Sequence, residues 1–336
     1  MYDAVISGAG PVGLHLARKL EERGLDYAVL EDHGRVGSPN HCSGLISTNI
    51  ASLIDIDRSF IEHEVRGAVL HGERRSAKFT KPRTAAYVID REKLDTHMSR
   101  GINVKLNSGV RDFAFRKDHV LVETDSETLE SRMLIACDGA NSLVRKKLGL
   151  IPKEMITGII AYTDLPDKGD HVDLWFDKQA TDGFMWKIPR GSRTEYGMLG
   201  SRVRFSQLED FFDIRGYEKS GGMIAIGPVK SYHERILLVG DAAAQSKPWS
   251  GGGVVYGLKC AEIAASVAAE AARRHDFSEA FLKRYEAGWK NAMGRQIALG
   301  MLWRRLFRGM SNSQIDLALA AAGKVPLLNR LDMDLI

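Results

Sequence analysis

Two groups of acidic and glycine residues, one late and one early in the chain, have the types and spacing to hold a cofactor. In the late group, the apolar run 236–239 precedes Gly240 and Asp241, and three glycines then open an alanine-rich helix that begins at about Val254. A carboxylate at the end of a buried strand can accept a hydrogen bond from a sugar hydroxyl. Backbone N–H groups at a glycine-rich helix start can face an electron-rich ring edge, such as that of a reduced flavin. An ordinary strand–turn–helix could carry the same residues.

The early group is a strand, a tight turn, a helix and a second strand, with GxGxxG spacing in the turn. Gly8 allows the turn, Gly10 lets the backbone approach a pyrophosphate, and Gly13 lets the helix pack on the strand. Glu31 follows the second strand, where it can accept hydrogen bonds from an adenosine ribose. An acid there would also repel a 2′-phosphate, which disfavours NADP. The two groups together predict binding of one dinucleotide cofactor that contains a flavin.

Two further segments are expected at the sheet edge where ligands bind. Residues 39–47 (PNHCSGLIS) form a loop with a lone cysteine, Cys42, which could instead be a small half-buried apolar residue. The buried strand 133–137 ends at Asp138, which gives a second acid–glycine junction. Arg91 could pair with a phosphate, and the alternative is a solvated arginine.

Length and composition are those of a soluble globular protein. The chain has 336 residues, of which 44% are hydrophobic and 27% charged, and its net charge is +4. This mild charge, without a basic run that contains aromatic residues, gives no indication of nucleic-acid binding. The spacing of the three cysteines fits neither a redox pair nor a metal site, so we expect no metal and a reducing cytosol. Since a strand already begins at residue 3, we expect no signal peptide, and no apolar run predicts a membrane span.

Residues 151–215 differ in character from the rest of the chain. Alternating segments at 172–176, 184–188 and 195–201, joined by Gly, Asp and Ser turns, indicate an antiparallel sheet. This sheet is rich in aromatic residues, which predict an apolar wall or, for some of them, only core. They are Trp175, Phe176, Phe184, Trp186 and Tyr196.

The tail of the chain is predicted to be helical and amphipathic. One face carries Leu299, Leu302, Trp303, Leu306 and Met310, and the other carries Arg304, Arg305 and Arg308. No acidic residue occurs between Arg295 and Ser313. This pattern is typical of a helix at a membrane surface, and the alternative is a helix packed on its own protein.

These patterns predict an α/β protein with a Rossmann-like domain that binds the dinucleotide cofactor, an inserted antiparallel β-sheet substrate domain and a helical C-terminal tail. A single GxGxxG indicates that there is no separate nicotinamide domain, and the absence of CxxxxC excludes the disulfide-reductase type of flavoenzyme. We expect a discontinuous cofactor-binding domain of residues 1–58, 84–150 and 220–275, a substrate or cap domain of residues 59–83 and 151–219, and a helical region of residues 276–336.

The chain resembles the FAD-dependent p-hydroxybenzoate hydroxylase-like superfamily and, within it, the geranylgeranyl reductases, including the archaeal digeranylgeranylglycerophospholipid reductases. Residues 39–44 match the family's P-x-x-C-x-G loop, and residues 240–253 match its flavin loop. Residues 184–190 (FMWKIPR) lie where the family has Y-x-W-x-F-P-K, and F-x-W-x-I-P is also similar to flavin halogenases. The family's proteins are usually longer at the carboxyl end, which implies a smaller or differently closed lipid cavity here.

The resemblance implies that FAD is the cofactor, and it implies which residues contact it. They are Val12, Glu31, Cys42, Ser43, Gly44, Arg91, Val110, Asp241, Gly253 and Val254, together with Pro248, Gly251 and Gly252 of the matching flavin loop. The patterns described above add Gly8, Gly10, Gly13 and Asp138.

The resemblance further implies an FAD-dependent oxidoreductase that acts on CH–CH groups and saturates the isoprenoid (geranylgeranyl) double bonds of a prenyl lipid, as in phospholipid metabolism. Phe184 and Trp186 would line the substrate tunnel, and Cys42 would deliver a proton or tune the flavin ring. The expected electron donor is NAD(P)H or a reduced ferredoxin-type protein. We expect a cytoplasmic protein, peripheral at the inner membrane face through its tail helix. Two alternatives remain open, a flavin-dependent mono-oxygenase or halogenase and a non-catalytic prenyl-binding protein of the same fold.

Overall fold

The computed structural model describes residues 1–325 and 333–335, and it has the mixed α/β class that the sequence predicts. The strands are β1 Tyr2–Ser7, β2 Tyr27–Leu30, β3 Leu45–Ser47, β4 Ile61–Val65, β5 Gly67–His71, β6 Ser76–Thr80, β7 Ala86–Ile89, β8 Val104–Lys105, β9 Val110–Phe115, β10 Val120–Thr124, β11 Thr128–Ala136, β12 Glu154–Thr163, β13 His171–Trp175, β14 Phe184–Pro189, β15 Thr194–Gly200, β16 Glu218–Ile226, β17 Tyr232–His233 and β18 Ile236–Leu238. The helices are α1 Pro11–Glu21, α2 Arg91–Met98, α3 Leu143–Lys147, α4 Phe205–Phe212, α5 Val254–Arg274, α6 Glu279–Arg308 and α7 Asn312–Ala322.

The chain divides into two compact units. The first consists of Met1–Pro39, Glu92–Glu154 and Ala225–Leu299, and the second consists of Asn40–Arg91, Met155–Ile224 and the chain from Gly300 onward. The domain limits expected from the sequence, with residues 276–336 as a separate helical region, stay a prediction. Residues 326–332 and 336 of that region lie outside the described residues.

A mainly parallel sheet forms the centre of the first unit, with the strand order β17-β18-β11-β1-β2-β8 and β10 and β9 attached to β11. Its central strands are buried on both faces, which is why they read as continuous apolar runs such as Leu134–Ala136. On one face α1 packs against the alanine-rich α5, whose small side chains Ala261, Ala264 and Ala268 are fully buried. Close contact between two helices requires such small residues.

The register of this sheet places three predicted strand ends side by side. Ser7 at the end of β1 pairs with Ala136 near the end of β11, and Ala136 pairs with Leu238 at the end of β18. The turns that follow these parallel strands therefore leave the sheet at one edge, where ligands of such sheets bind.

A seven-stranded sheet with the order β16-β12-β15-β14-β13-β5-β6 forms the second unit, together with the small sheet β3-β7-β4. Strands β12, β15, β14 and β13 are antiparallel, as predicted, but β13 pairs with β5 in parallel. This difference arises because β5 and β6 come from a distant hairpin, whose direction is not set by a turn next to β13.

The two faces of this sheet have different neighbours. Met185 and Met198 on one face pack against Leu208 of α4 and form a hydrophobic cluster with it. Alternation along the strands places Trp186 and Glu195 on the opposite face. The predicted aromatic wall is therefore divided, because Trp175 and Tyr196 belong to the α4 cluster.

No helix in the described part of the chain combines the length and the apolar character that crossing a bilayer requires.

Candidate functional site

The glycines of the β1–α1 turn differ in what surrounds them. A Cβ on Gly8, which has a φ of +98°, would lie 2.5 Å from the carbonyl oxygen of Cys137, and one on Gly13 would lie 2.0 Å from that of Gly8. In contrast, no other atom lies within 4 Å of a Cβ placed on Gly10. The chain itself therefore excludes side chains at Gly8 and Gly13, whereas Gly10 borders open space that a ligand can fill.

Two helices in this unit begin without a side chain that caps them. The N-cap residues are Gly10 for α1 and Gly253 for α5, and neither helix has an acidic residue in its first turn. Helix starts of this kind leave backbone N–H groups and a positive dipole end available to a phosphate or an electron-rich ring edge. Val12 of α1 packs against Gly240 and Gly257, where a Cβ would lie 3.2 and 2.5 Å from its side chain. Val254 is the first residue of α5.

Glu31 lies directly after β2 and faces the glycine turn. Its Oε2 accepts a hydrogen bond from the backbone N–H of Ala9 at 2.8 Å, and its Oε1 lies 2.6 Å from Nδ1 of His33. The carboxylate is thus held at the end of the strand, next to the turn in which a pyrophosphate is expected. This position fits the predicted hydrogen bond to a ribose.

Asp138 follows β11, and only one of its two carboxylate oxygens has a hydrogen-bond partner among the described residues. Its Oδ2 accepts a hydrogen bond from Leu143 N at 2.9 Å, which fixes the start of α3. Its Oδ1 is buried and has no hydrogen-bond partner among the described residues. Burial raises the pKa of this carboxyl, since the charged form is desolvated. A buried oxygen without a partner is what a bound polar ligand would satisfy.

Arg145, which the sequence analysis did not single out, joins the two acid–glycine turns. Its buried guanidinium donates to the carbonyl oxygens of Asp241 at 3.3 Å and Ala242 at 3.1 Å, and to that of Ala140. Because the Asp241 and Ala242 acceptors are 96 and 97 residues away in the chain, no local sequence signal marks this arginine.

In the late glycine loop, residues 251–253, the backbone lies close to the side chains of Asp241 and Lys247. A Cβ on Gly253 would lie 2.4 Å from Oδ1 of Asp241, and one on Gly252 would lie 2.8 Å from Cε of Lys247. Gly251 has a φ of +74°, and its N–H donates to the carbonyl of Lys247 at 2.9 Å. Gly251 is therefore favoured by its backbone conformation, whereas a side chain at Gly252 or Gly253 would have to displace Lys247 or Asp241. Pro248 is buried in the same loop.

The predicted contact residues are distributed over both units. The first unit contains Gly8, Gly10, Val12, Gly13, Glu31, Val110, Asp138, Asp241, Pro248, Gly251, Gly252, Gly253 and Val254, and the second contains Cys42, Ser43, Gly44, Arg91, Phe184 and Trp186. Val110 begins β9 and is buried, and Arg91 begins α2 and is also buried.

The Cys42 loop in the second unit is shaped by its own backbone. Oδ1 of Asn40 accepts from Cys42 N at 3.0 Å, and the Cys42 Sγ accepts from Gly44 N at 3.4 Å. Gly44 has a φ of +69°, and a Cβ on it would lie 2.0 Å from the carbonyl oxygen of Ile89. The half-buried thiol is thus fixed in a tight turn by its own backbone contacts.

Arg190 holds this loop against the aromatic segment that begins at Phe184. Its buried guanidinium donates to the carbonyl oxygens of Ser43 at 2.6 Å and Ile89 at 3.2 Å. It also forms ion pairs with Glu195, at 2.6 Å, and with Glu62. No role was predicted for Arg190 from the sequence, because Ser43, Ile89 and Glu62 lie 147, 101 and 128 residues away.

Glu195 is fully buried and links Arg190 to Trp186, whose Nε1 donates to it at 2.8 Å. Burial raises the pKa of Glu195 to about 7, against the opposing effects of Arg190 and Trp186. The Trp186 ring lies flat against the backbone at Gly197, where a Cβ would be 2.0 Å from it. Tyr162 pairs with Glu195 across β12 and β15, and its buried hydroxyl has no hydrogen-bond partner among the described residues.

The aromatic residues of the second unit fall into two sets. Trp175 and Tyr196 contact Phe212 of α4 with ring centroids 5.1 and 4.9 Å apart, so they are core. Phe184 contacts Trp186 at 5.9 Å and Phe176 at 6.1 Å on the other face. This second set is the remaining candidate for the predicted substrate wall.

Within residues 1–325 and 333–335, no group of three or more His, Cys, Asp or Glu side chains has the arrangement of a metal site.

Comparison with known proteins gives matches along almost the whole chain. Residues 1–207 match the FAD binding domain family. A digeranylgeranylglycerophospholipid reductase from Methanopyrus kandleri is 30% identical, over 96% of this chain and 90% of its own. A second one, from Methanothermobacter thermautotrophicus, is 26% identical, over 94% of this chain and 90% of its own.

Solved structures with the same fold include a reductase-like protein and a halogenase. A geranylgeranyl bacteriochlorophyll reductase-like protein from Thermoplasma acidophilum has a TM-score of 0.91 at 23% identity, over 99% of this chain and 94% of its own. The flavin-dependent halogenase CmlS has a TM-score of 0.72 at 20% identity, over 96% of this chain and 70% of its own. The predicted fold, a Rossmann-like FAD-binding domain with an inserted sheet and C-terminal helices, is confirmed.

Gly13→Ala and Gly10→Ala should separate folding from cofactor binding. Gly13→Ala places a methyl group 2.0 Å from a carbonyl oxygen and should lower the free energy of unfolding by about 3 kcal/mol or more. Gly10→Ala meets no protein atom and should change stability by less than about 0.5 kcal/mol, yet weaken FAD binding at least tenfold. Denaturant unfolding of the apoprotein and FAD titration measure the two effects. Equal FAD affinity of Gly10→Ala and wild type would contradict the proposed approach of the cofactor.

Glu195 should make stability depend on pH in one defined window. Its pKa is raised from 4.5 to about 7 in the folded protein. Between these two pH values, the carboxyl group is therefore protonated in the folded state and ionised in the unfolded state. Stability from this group is therefore present below about pH 4.5 and is lost as the pH rises to about 7, by about 3 kcal/mol at most. We expect Glu195→Gln to remove this slope in denaturant titrations between pH 5 and 8. A constant difference between variant and wild type over this range would show that Glu195 is ionised throughout.

Proposed function

We propose a function for this chain from the premise that it belongs to the FAD binding domain family and to the digeranylgeranylglycerophospholipid reductases. The proposed activity is the saturation of isoprenoid double bonds of a prenyl lipid by an FAD-dependent reductase. The observation that carries the proposal is the bonding of Arg190, which joins the Cys42 loop to the aromatic segment of Trp186 through Ser43 and Glu195. Two of the three sequence motifs of the resemblance, residues 39–44 and 184–190, thus belong to one network.

The residues of the first unit fit FAD. The uncapped start of α1 next to Gly10 suits the pyrophosphate, and Glu31 suits the adenosine ribose. Asp241 suits the ribityl hydroxyls, and the uncapped start of α5 suits the electron-rich edge of the flavin ring. Bound FAD in its reduced form supplies hydride-transfer chemistry.

The second unit would supply what an isolated alkene requires. Such an alkene is not polarised, so orientation and exclusion of water must contribute much of the rate. Phe184 and Trp186 are apolar and only 8% exposed each, so the wall that they would form excludes water. Cys42 would deliver the proton, because its thiol is half-buried, free and held in a fixed turn. The source of electrons is proposed to be NAD(P)H or a reduced ferredoxin-type protein.

The halogenase alternative is favoured by fold similarity at 20% identity and by the F-x-W-x-I-P sequence of residues 184–189. No contact described above favours it or a non-catalytic prenyl-binding protein over a reductase.

We further propose that α6 attaches the protein to the cytoplasmic face of an anionic membrane. Leu302, Trp303 and Leu306 are 52%, 64% and 52% exposed on one side of the helix. Arg305 and Arg308 are exposed on the same helix, and acidic residues are absent between Arg295 and Ser313. Exposed apolar side chains flanked by arginine suit an anionic lipid surface.

Mass spectrometry of a prenyl lipid tests the activity directly. FAD-loaded protein reduced with dithionite should add one hydride and one proton to each susceptible double bond of a geranylgeranyl lipid. Unreduced protein is the control for non-enzymatic change. An unchanged lipid mass, or oxygen-dependent halogenation or hydroxylation of an aromatic substrate with NAD(P)H, would overturn the proposal.

The same assay tests Cys42. Cys42→Ser keeps the size and the turn but lacks the more acidic thiol, so turnover should fall about 10²-fold while the FAD content stays the same. Undiminished turnover would remove Cys42 from the proton step.

Vesicle flotation tests the membrane surface. The double variant Leu302→Ser/Trp303→Ser should bind vesicles that contain an acidic phospholipid about tenfold less than wild type, since two exposed apolar groups are lost. Leu317→Ser is the matched control, because Leu317 is 73% exposed on α7. Equal loss in both variants, or equal binding of wild type to neutral and acidic vesicles, would contradict a specific surface on α6.

A further inference from the structure

We propose that Lys178, Arg304 and Arg308 form the site that binds the phosphate of a prenyl lipid headgroup. The site lies at one end of an aromatic row in the second unit, which consists of Phe307, Phe176, Phe184 and Trp186. This inference rests on the proposed function and adds the part of the substrate that the protein recognises by charge.

The three cations, Lys178, Arg304 and Arg308, belong to one cluster. Nζ of Lys178 lies 3.5 Å from the centroid of the Phe307 ring, and both Arg304 and Arg308 act on its charge. Asp182 is the acid that acts on Lys178 among the described residues. It is already engaged, since it accepts from Ser201 N and Oγ at 2.7 and 2.6 Å and from Arg308 at 3.3 Å.

The ammonium group of Lys178 has no acceptor in the part of the chain that the structure describes. Its Nζ is buried and has no hydrogen-bond partner among the described residues. Burial, together with Arg308 and Arg304, lowers the pKa of Lys178 to about 8. A buried ammonium with no acceptor is unfavourable, and a phosphate oxygen would satisfy its donors.

The cluster is connected to the Cys42 loop by a row of aromatic contacts. Phe307 contacts Phe176 with ring centroids 5.4 Å apart. Phe176 contacts Phe184, and Phe184 contacts Trp186. Trp186 donates a hydrogen bond to Glu195, and Arg190 donates to both Glu195 and the carbonyl oxygen of Ser43. The charged cluster, the aromatic row and the Cys42 loop therefore follow one another in the same order as the headgroup, the prenyl chain and the reacting alkene of the proposed substrate.

Helix α6 supplies both parts of this arrangement. It contributes Arg304 and Phe307 to the cluster, and it exposes Leu302 and Trp303 as the proposed membrane surface. A phosphate held by this helix would lie near the level of the lipid headgroups, which suits a substrate taken from a bilayer.

Binding of paired soluble probes tests the assignment. We expect FAD-loaded wild type to bind geranyl phosphate more tightly than geraniol, as measured by quenching of protein fluorescence. Lys178→Met keeps the apolar stem on Phe307 and removes the charge, so the affinity for geranyl phosphate should fall about tenfold or more, with that for geraniol unchanged. Lys219→Met is the matched control, because exposed Lys219 also lies over aromatic rings, 5.0 Å from Phe205, and should leave both affinities unchanged. The FAD content and circular dichroism of each variant verify folding.

The other outcomes separate the two proposals. Two results would overturn the headgroup site and leave the reductase proposal intact. The first is reduction of geranyl phosphate and geraniol with no preference for the phosphate. The second is an equal loss of both affinities in Lys178→Met. Equally tight binding of inorganic phosphate, also lost in Lys178→Met, assigns the cluster to a free ion and overturns the lipid headgroup. Binding and reduction of neither probe overturn both proposals.

Discussion

The second unit depends on the hydrogen bonds and ion pairs that the buried guanidinium of Arg190 makes. A buried charge is tolerated only with a full set of partners, and Arg190 obtains them from two carboxylates and two backbone carbonyls. Because the guanidinium is a rigid planar fork of donors, these partners fix one another's positions. Through Ser43 and Glu195, Arg190 therefore links the Cys42 loop to Trp186, although the loop and the tryptophan are far apart in the sequence.

The first unit depends on a comparable connection between distant turns. Arg145 donates to the carbonyls that follow β18, and it belongs to the helix whose start is fixed by Asp138 at the end of β11. The parallel register of the strands brings the turns together, and the arginine keeps their backbones in place. Rigid elements thus position the groups that would contact FAD.

Sequence reasoning succeeded where the cause is local. The turn at Gly8, the start of α1 at Pro11 and the start of α5 at Val254 follow from glycine conformation and helix-start chemistry within a few residues. It failed to find Arg145, and it gave no role to Arg190 or Lys178, because most of their partners are brought to them only by the tertiary fold. Glu195 also received no role, although Arg190 and Trp186 lie only five and nine residues away across one hairpin. The division of the aromatic wall was within reach, since period-two alternation along β14 already separates Trp186 from Met185.

The absent cap of α1 sets helix stability against ligand binding at one position. A serine or aspartate in place of Gly10 would satisfy a first-turn N–H group and stabilise the helix by about 0.3 kcal/mol. It would do so by occupying, with its own oxygen, the space reserved for a ligand's oxygen. A substitution that makes the fold more robust at this position is therefore expected to make the protein less active.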